Sequence, residues 1–137
     1  MTLAPNTTGI PVPRPTLQSE HYWAGCRGGE LRFRRCTTCD LAVFEPRPLC
    51  PRCHGTDLAW EVSAGEGAVY SWSIVWRPQT PAFESPYAPA IMSLDEGFDI
   101  LTAIVGCEPD EIRAGQRVRV EFHAVDDVIT LPFFGPA

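Results

Sequence analysis

Two C-x2-C pairs, Cys36/Cys39 and Cys50/Cys53, stand ten residues apart in the stretch C-T-T-C-D-L-A-V-F-E-P-R-P-L-C-P-R-C, and no other feature narrows the possible folds of this chain as far. A C-x2-C turn lets two sulfurs of one chain converge on a single ion, and tetrahedral zinc accepts four thiolates at about 2.3 Å. Two such turns close one coordination shell. Pro46, Arg47 and Pro48 stiffen the return between the knuckles, Pro51 fixes the second, and Gly55 is expected to supply a positive φ just after it. The competing readings are disulfides, a redox pair, or four buried thiols. Nothing marks the chain for secretion, where bridges persist, and a redox C-x-x-C leaves the second pair unexplained. Four protein thiolates leave no open position for water or substrate. Zinc at Cys36, Cys39, Cys50 and Cys53 is therefore expected to hold the fold rather than to do chemistry.

A chain of 137 residues buries one modest core, or a small core plus a metal-stapled appendage, and the cysteines favour the second. With 14 prolines and 11 glycines the sequence points to many turns and short strands rather than to a helical bundle. All 11 basic residues are arginine, and they are unevenly spread: residues 53–137 hold four of them against thirteen acids. Four thiolates on one Zn²⁺ add a further double negative charge beside the arginines of the cysteine region. A long nucleic-acid footprint is absent. The first residues lack the basic and apolar regions of a leader, and no stretch approaches the ~18 apolar residues a membrane helix needs. A soluble, reducing, cytoplasmic setting without membrane contact is the expectation.

Along the chain, residues 1–15 read as an extended, Pro-rich arm, poorly ordered on its own. Thr16 to Arg27 reads as a short helix capped by Thr16 or Ser19, with Tyr22, Trp23 and Cys26 along one side and Gly28-Gly29 ending it. Tyr22 and Trp23 serve either as core or as a docking surface. Residues 30–35 alternate, Leu31 and Phe33 one way and Arg32 and Arg34 the other, which makes a strand into the first knuckle; Leu41–Phe44 completes a hairpin, and Leu58–Val62 leads out. His54 reads as a surface residue, because the cysteines already fill the shell. Strands follow at Ala68–Trp76, Ala90–Leu94, Phe98–Val105, Arg117–Phe122 and Val128–Phe134, with a helical turn over Pro109–Ile112. Five strands are the count of a small Greek-key OB barrel. The expected architecture is mainly β, with an arm at 1–15, helix and ribbon at 16–60 and barrel at 61–137.

Several segments taken in order make a family recognisable: the Tyr22-Trp23 pair, G-E-L-R-F-R-R-C-T-T-C, E-P-R-P-L-C-P-R-C, D-L-A-W-E-V-S-A-G-E-G-A-V-Y-S-W-S-I-V, S-L-D-E-G, I-R-A-G-Q-R-V-R-V-E-F and L-P-F-F. Over nearly its whole length the chain resembles acyl-CoA-associated proteins that join an N-terminal helix and a rubredoxin-like zinc ribbon to a C-terminal OB-fold. The resemblance implies a partner of thiolase-superfamily enzymes, including thiolases, acyltransferases and lipid-transfer-protein-like aldolases of steroid side-chain breakdown. In that reading the thiolase-like subunit carries the reaction and this chain helps shape the acyl-CoA site. Guanidinium groups fork onto phosphate oxygens, so Arg34, Arg35 and Arg77 are candidates for CoA by chain position.

No nucleophile motif, phosphate loop or second metal cluster competes with that reading, and His21, His54 and His123 are far apart in sequence. The connector from Arg77 to Pro89 is too long for a tight hairpin and too aromatic for a plain linker. Phe83 and Tyr87 in it are candidate interface anchors, or plugs of the barrel mouth. The alternatives are a stand-alone acyl-CoA binding protein and a nucleic-acid module, in which Tyr70, Trp72 and Trp76 would stack bases. Acidity decides against nucleic acid: the purified protein is expected to show no binding to single-stranded DNA or RNA at physiological salt. Micromolar binding that weakens steeply with salt would overturn that expectation.

Overall fold

The computed structural model describes all of residues 1–137. One helix, α1 (Glu20–Arg27), precedes β1 (Arg32–Cys36), β2 (Ala42–Val43) and β3 (Leu58–Val62); then come β4 (Glu66–Trp72), β5 (Ala88–Leu94), β6 (Asp99–Ile104), a 3-10 turn (Pro109–Glu111), β7 (Arg117–Ala124) and β8 (Thr130–Pro136). The first three strands form an antiparallel sheet in the order β2-β1-β3, and the other five close into a barrel in the order β4-β5-β6-β8-β7. That order is the Greek-key OB-fold that the strand count predicts.

Alternation in the sequence places the core. Leu31 and Phe33 are buried while Arg32 and Arg34 are half-buried on the other side of β1. On β5, Ala88, Ala90, Met92 and Leu94 all point inward, and they meet Ile100, Ile104, Val118 and Phe134 from the strands around the barrel. Leu31 and Phe33 belong to that same cluster, so ribbon and barrel share one core. Around the cysteines only Cys36, Val43 and Cys50 are buried together, too little apolar area to hold the knuckles without a further tie.

Four expectations are corrected. The helix begins at Glu20, not Thr16: the Thr16 and Ser19 hydroxyls lie 3.0 Å apart and bond each other, so neither caps α1. The strand expected over Ala68–Trp76 runs as β4 only to Trp72, and an irregularity between Val69 and Ser71 breaks its alternation. Beyond it the chain continues as a hairpin extension, with Ser73 N–H donating to Pro89 and Val75 to Tyr87. The N-terminal arm is docked, not loose. Leu3 is 2% exposed and exchanges backbone bonds of 2.8 Å with Cys107 and Gly106, Thr2 and the Met1 ammonium bond Glu108, and Asn6 brackets the Glu84 backbone. Finally, His54 and not Gly55 takes the positive φ after the second knuckle, at 62°, as Asp40 does after the first, at 66°.

Two devices fix the ribbon against the barrel. Glu96, in the β5–β6 turn, accepts from Ser63 Oγ and from the Ala64 amide, both at 2.8 Å. Gly65 follows at φ +73°, where a Cβ would stand 2.3 Å from Val120 Cγ1. The second device is a run of rings: Trp23 to Tyr22 at 5.0 Å, Tyr22 to Phe44 at 5.3 Å, Phe44 to Phe98 at 5.1 Å and Phe98 to Phe33 at 4.8 Å between centroids. Phe98 is the barrel's member of it and is 6% exposed. Phe98→Ala is expected to cost about 3–5 kcal/mol, read as a drop in melting temperature. Leu101→Ala, at a position 75% exposed, is expected to melt near the parent. Equal melting of the two variants would overturn the assignment.

Candidate metal centre and adjoining groove

The two knuckles are built alike. In each, the residue after the second cysteine turns into the left-handed region and sends its amide back to the first cysteine's carbonyl: Asp40 to Cys36 at 2.9 Å and His54 to Cys50 at 3.0 Å. The four sulfurs all lie within 4.8 Å of one another. Cys36 and Cys53 Sγ are 3.5 Å apart, and Cys39 and Cys50 Sγ 3.6 Å. A disulfide needs about 2.05 Å, whereas a tetrahedron with bonds of about 2.3 Å has edges of about 3.8 Å. The spacing is that of a shared ion, and His54 stands outside the cluster.

Electrostatics agree with that geometry. The Cys39 amide holds the Cys36 thiol below its usual range against the opposing effect of burial, with help from the Thr38 amide. The amides of Cys53 and Arg52 do the same for Cys50, which falls to about 6. For Cys53 the Gly55 amide pulls down, but the sulfurs of Cys36, Cys39 and Cys50 outweigh it and push the group up to about 12. Two sulfurs poised to ionise beside a third that its neighbours keep protonated are what a divalent cation resolves, by displacing the remaining proton. The donor set thus fits a structural zinc.

The arginine candidates do not converge. Arg34 Nη2 donates to the carbonyls of Arg47 and Glu45, latching the loop between the knuckles, and its guanidinium lies 5.2 Å over the Trp60 ring. Arg35 Nε donates to Glu61 at 3.0 Å and its Nη1 to the Asp40 carbonyl at 3.0 Å. Arg77 lies elsewhere, exposed, in the loop beyond β4. Phe83 and Tyr87 stack on each other at 5.5 Å and are half-buried. From this end of the barrel it is Ile74 that packs against the core.

Tyr22 is half-buried, and burial, with the Cys26 thiol adding to it, raises its hydroxyl far above the usual phenol range. With Trp23 it walls a groove of about 410 Å³ between α1, the ribbon and the seam of β6 and β8. Phe44 and Trp60 close the ribbon side, and Leu101 and Phe133 lie on the barrel side. Trp60 is held in place by His21, 4.5 Å away, and by Arg34. The sequence reading missed Trp60, Leu101 and Phe133. Leu58, Trp60 and Val62 alternate onto one face, which was a usable signal for Trp60, but the groove is assembled from segments that only the fold brings together.

A zinc-type ribbon packed on a closed OB barrel defines a class of two-part metal-ribbon proteins. The family descriptions agree: residues 23–59 match the ChsH2 rubredoxin-like zinc ribbon domain and residues 60–123 the ChsH2 C-terminal OB-fold domain. The chain belongs to this ChsH2/DUF35 family. It is 36% identical over 127 residues to a probable enoyl-CoA hydratase alpha subunit of Thermomonospora curvata, covering 91% of this chain but only 40% of that protein's length. It is 34% identical over 103 residues to a DUF35 domain-containing scaffold protein of Methanocaldococcus jannaschii, covering 70% of this chain and 73% of the relative. Among solved structures, the Ltp2-ChsH2(DUF35) aldolase contains a chain that superposes with a TM-score of 0.83 at 34% identity, over 91% of this chain and 98% of that one. No helix here is long and apolar enough to cross a membrane.

The purified chain is expected to carry one zinc per molecule, and Cys39→Ser or chelation to melt the ribbon, because so few residues are buried around the sulfurs. Metal analysis giving well under one zinc, with four freely titrating thiols, would overturn this.

Proposed function

We propose that this chain is a non-catalytic subunit, stapled by zinc at Cys36, Cys39, Cys50 and Cys53, that binds a thiolase-superfamily enzyme and helps form its acyl-CoA site. The observation that carries the reading is the hairpin extension. Between Gly67 and Leu94 the only charged residues are Arg77 and Glu84, and Tyr70 and Trp76 are 68% and 64% exposed. An aromatic arm depleted in charge, on an otherwise acidic barrel, has the composition of an interface core. Pro78, Pro81, Pro86 and Pro89 lower the entropy lost when it docks, and the bonds of Asn6 to Glu84 hold its tip in place.

The side chains offer little chemistry of their own. His21 stacks on Trp60, His54 sits in a knuckle turn and His123 pairs with Glu121 at 3.0 Å, so no histidine meets a nucleophile. The named relatives add direction: one is called an aldolase of two components, one a scaffold protein, and one a hydratase subunit acting on an enoyl-CoA. Arg34, Arg35 and Arg77 are the guanidinium groups proposed to face CoA phosphates. Arg77 is the one of the three without an internal partner.

Reconstitution with a thiolase-type enzyme from the same host tests the proposal. Trp76→Ser with Phe83→Ser is expected to weaken that complex at least about tenfold, in line with the loss of interface anchors, while leaving the zinc content unchanged. Arg77→Ala is expected to raise the KM for acyl-CoA. An isolated chain that binds or turns over acyl-CoA alone, or a complex indifferent to the double change, would overturn the reading.

A further inference from the structure

The tip of the hairpin extension has few ties of its own. Past the Val75–Tyr87 bridge, residues 76–86 bond among themselves only from the Ala82 amide to Thr80 Oγ1 and from the Phe83 amide to the Thr80 carbonyl. The hydrogen bonds that leave the segment both go to one side chain. Asn6 Oδ1 accepts from the Glu84 amide at 2.8 Å, and Asn6 Nδ2 donates to the Glu84 carbonyl at 3.3 Å. A side-chain amide carries an acceptor and a donor in one plane, so it holds the peptide groups on both sides of Glu84 at once.

Asn6 is in turn fixed at the barrel. Three residues earlier, Leu3 is 2% exposed in the cluster that includes Ile104, Cys107, Ile112 and Phe134, and its backbone bonds Gly106 and Cys107. Thr2 Oγ1 adds a bond of 3.0 Å to Glu108. Only Ala4 and Pro5 lie between this anchor and Asn6, a span of ~10 Å at full extension, and the Pro5 ring removes one of its backbone rotations. Such a link has little slack. The seat of Leu3 in the core therefore sets where the Asn6 amide stands, and through it where Glu84 and its neighbour Phe83 stand. Water would satisfy the Glu84 peptide groups nearly as well, so what the bracket changes is the freedom of the tip. Freedom removed before docking is not lost on docking.

We propose that Asn6 is a positioning residue for docking: the arm from Thr2 to Asn6 is a brace that carries the geometry of the barrel core to the tip of the extension and presents Phe83 to the partner already ordered. Asn6 acts through Glu84 and Phe83. This role rests on the docking reading above, and the measurements below separate the two.

The test uses the full, zinc-loaded chain, with solvent exchange of the Glu84 amide read in isolation and partner affinity read by reconstitution. Asn6→Ala is expected to speed that exchange about fivefold or more, as the loss of a hydrogen bond does, with melting temperature and zinc content unchanged, and to weaken the complex by a similar factor. Asn6→Asp keeps the acceptor for the Glu84 amide and is expected to restore most of the protection. Pro5→Gly alters neither bonded residue, yet is expected to speed the same exchange because it slackens the link. Exchange unmoved by Pro5→Gly, or Asn6→Asp exchanging as fast as Asn6→Ala, would overturn the brace. A complex weakened by Trp76→Ser with Phe83→Ser but indifferent to Asn6→Ala would overturn the positioning role and leave the docking reading standing. A complex indifferent to all three changes would overturn both.

Discussion

The rings running from Trp23 through Tyr22, Phe44 and Phe98 to Phe33 come from four separate places: α1, the loop after β2, the β5–β6 turn and β1. Aromatic pairs favour particular offsets and tilts, so such a run fixes orientation as well as distance. The ribbon therefore cannot slide on the barrel without breaking several ring contacts together. The core strand β1 is bound by the same run, through Phe33, and β1 ends at Cys36. The position of the metal site relative to the barrel is thus set by carbon packing, and the metal's task is confined to the loops beyond it.

The junction is built for stiffness as well. A flexible link between ribbon and barrel would be polar and unbonded, but Ser63 and Ala64 are both held by Glu96, and the Gly65 amide closes on Ser63 Oγ at 2.9 Å. No side chain fits at Gly65, because Val120 occupies the space. These bonds tie the linker between the two halves to the β5–β6 turn of the barrel. The groove depends on this, since its walls belong to α1 and the ribbon and its floor to the barrel.

The legible parts of this fold were those governed by short-range rules. Cysteine spacing fixed the knuckles because the chemistry needs two sulfurs per turn, and alternation placed Leu31 and Phe33 because a strand has period two. The failures share a cause. Residues Thr16–Ser19 look like a helix start, yet their hydroxyls found each other; the run Ala68–Trp76 is uniformly strand-like, yet an irregularity interrupts its register and regular pairing stops at Trp72. The arm looked loose because a single buried residue, Leu3, carries no pattern. His54 and Asp40, both with positive φ, show that the knuckle's backbone bond outranks the preference for glycine. The groove was illegible for a stronger reason: its lining comes from five separate segments, and no local periodicity reports on a volume between them.

Charge completes the division of surfaces. The acids of β4 and of the β5–β6 turn are engaged by arginines of β7, Arg117 with Asp95 and Arg119 with Glu66, at 2.6 and 2.8 Å. Pairs this exposed add little stability, so their effect is to keep that side of the barrel wet. The hairpin extension, by contrast, carries only the charges of Arg77 and Glu84, and no charged residue lines the groove. The extension is aromatic, with Trp76, Phe83 and Tyr87, and the groove is walled by Tyr22, Trp23, Phe44 and Trp60. Because the ring run and the Glu96 clamp hold ribbon to barrel, the walls of the groove and the extension are carried on one packed body.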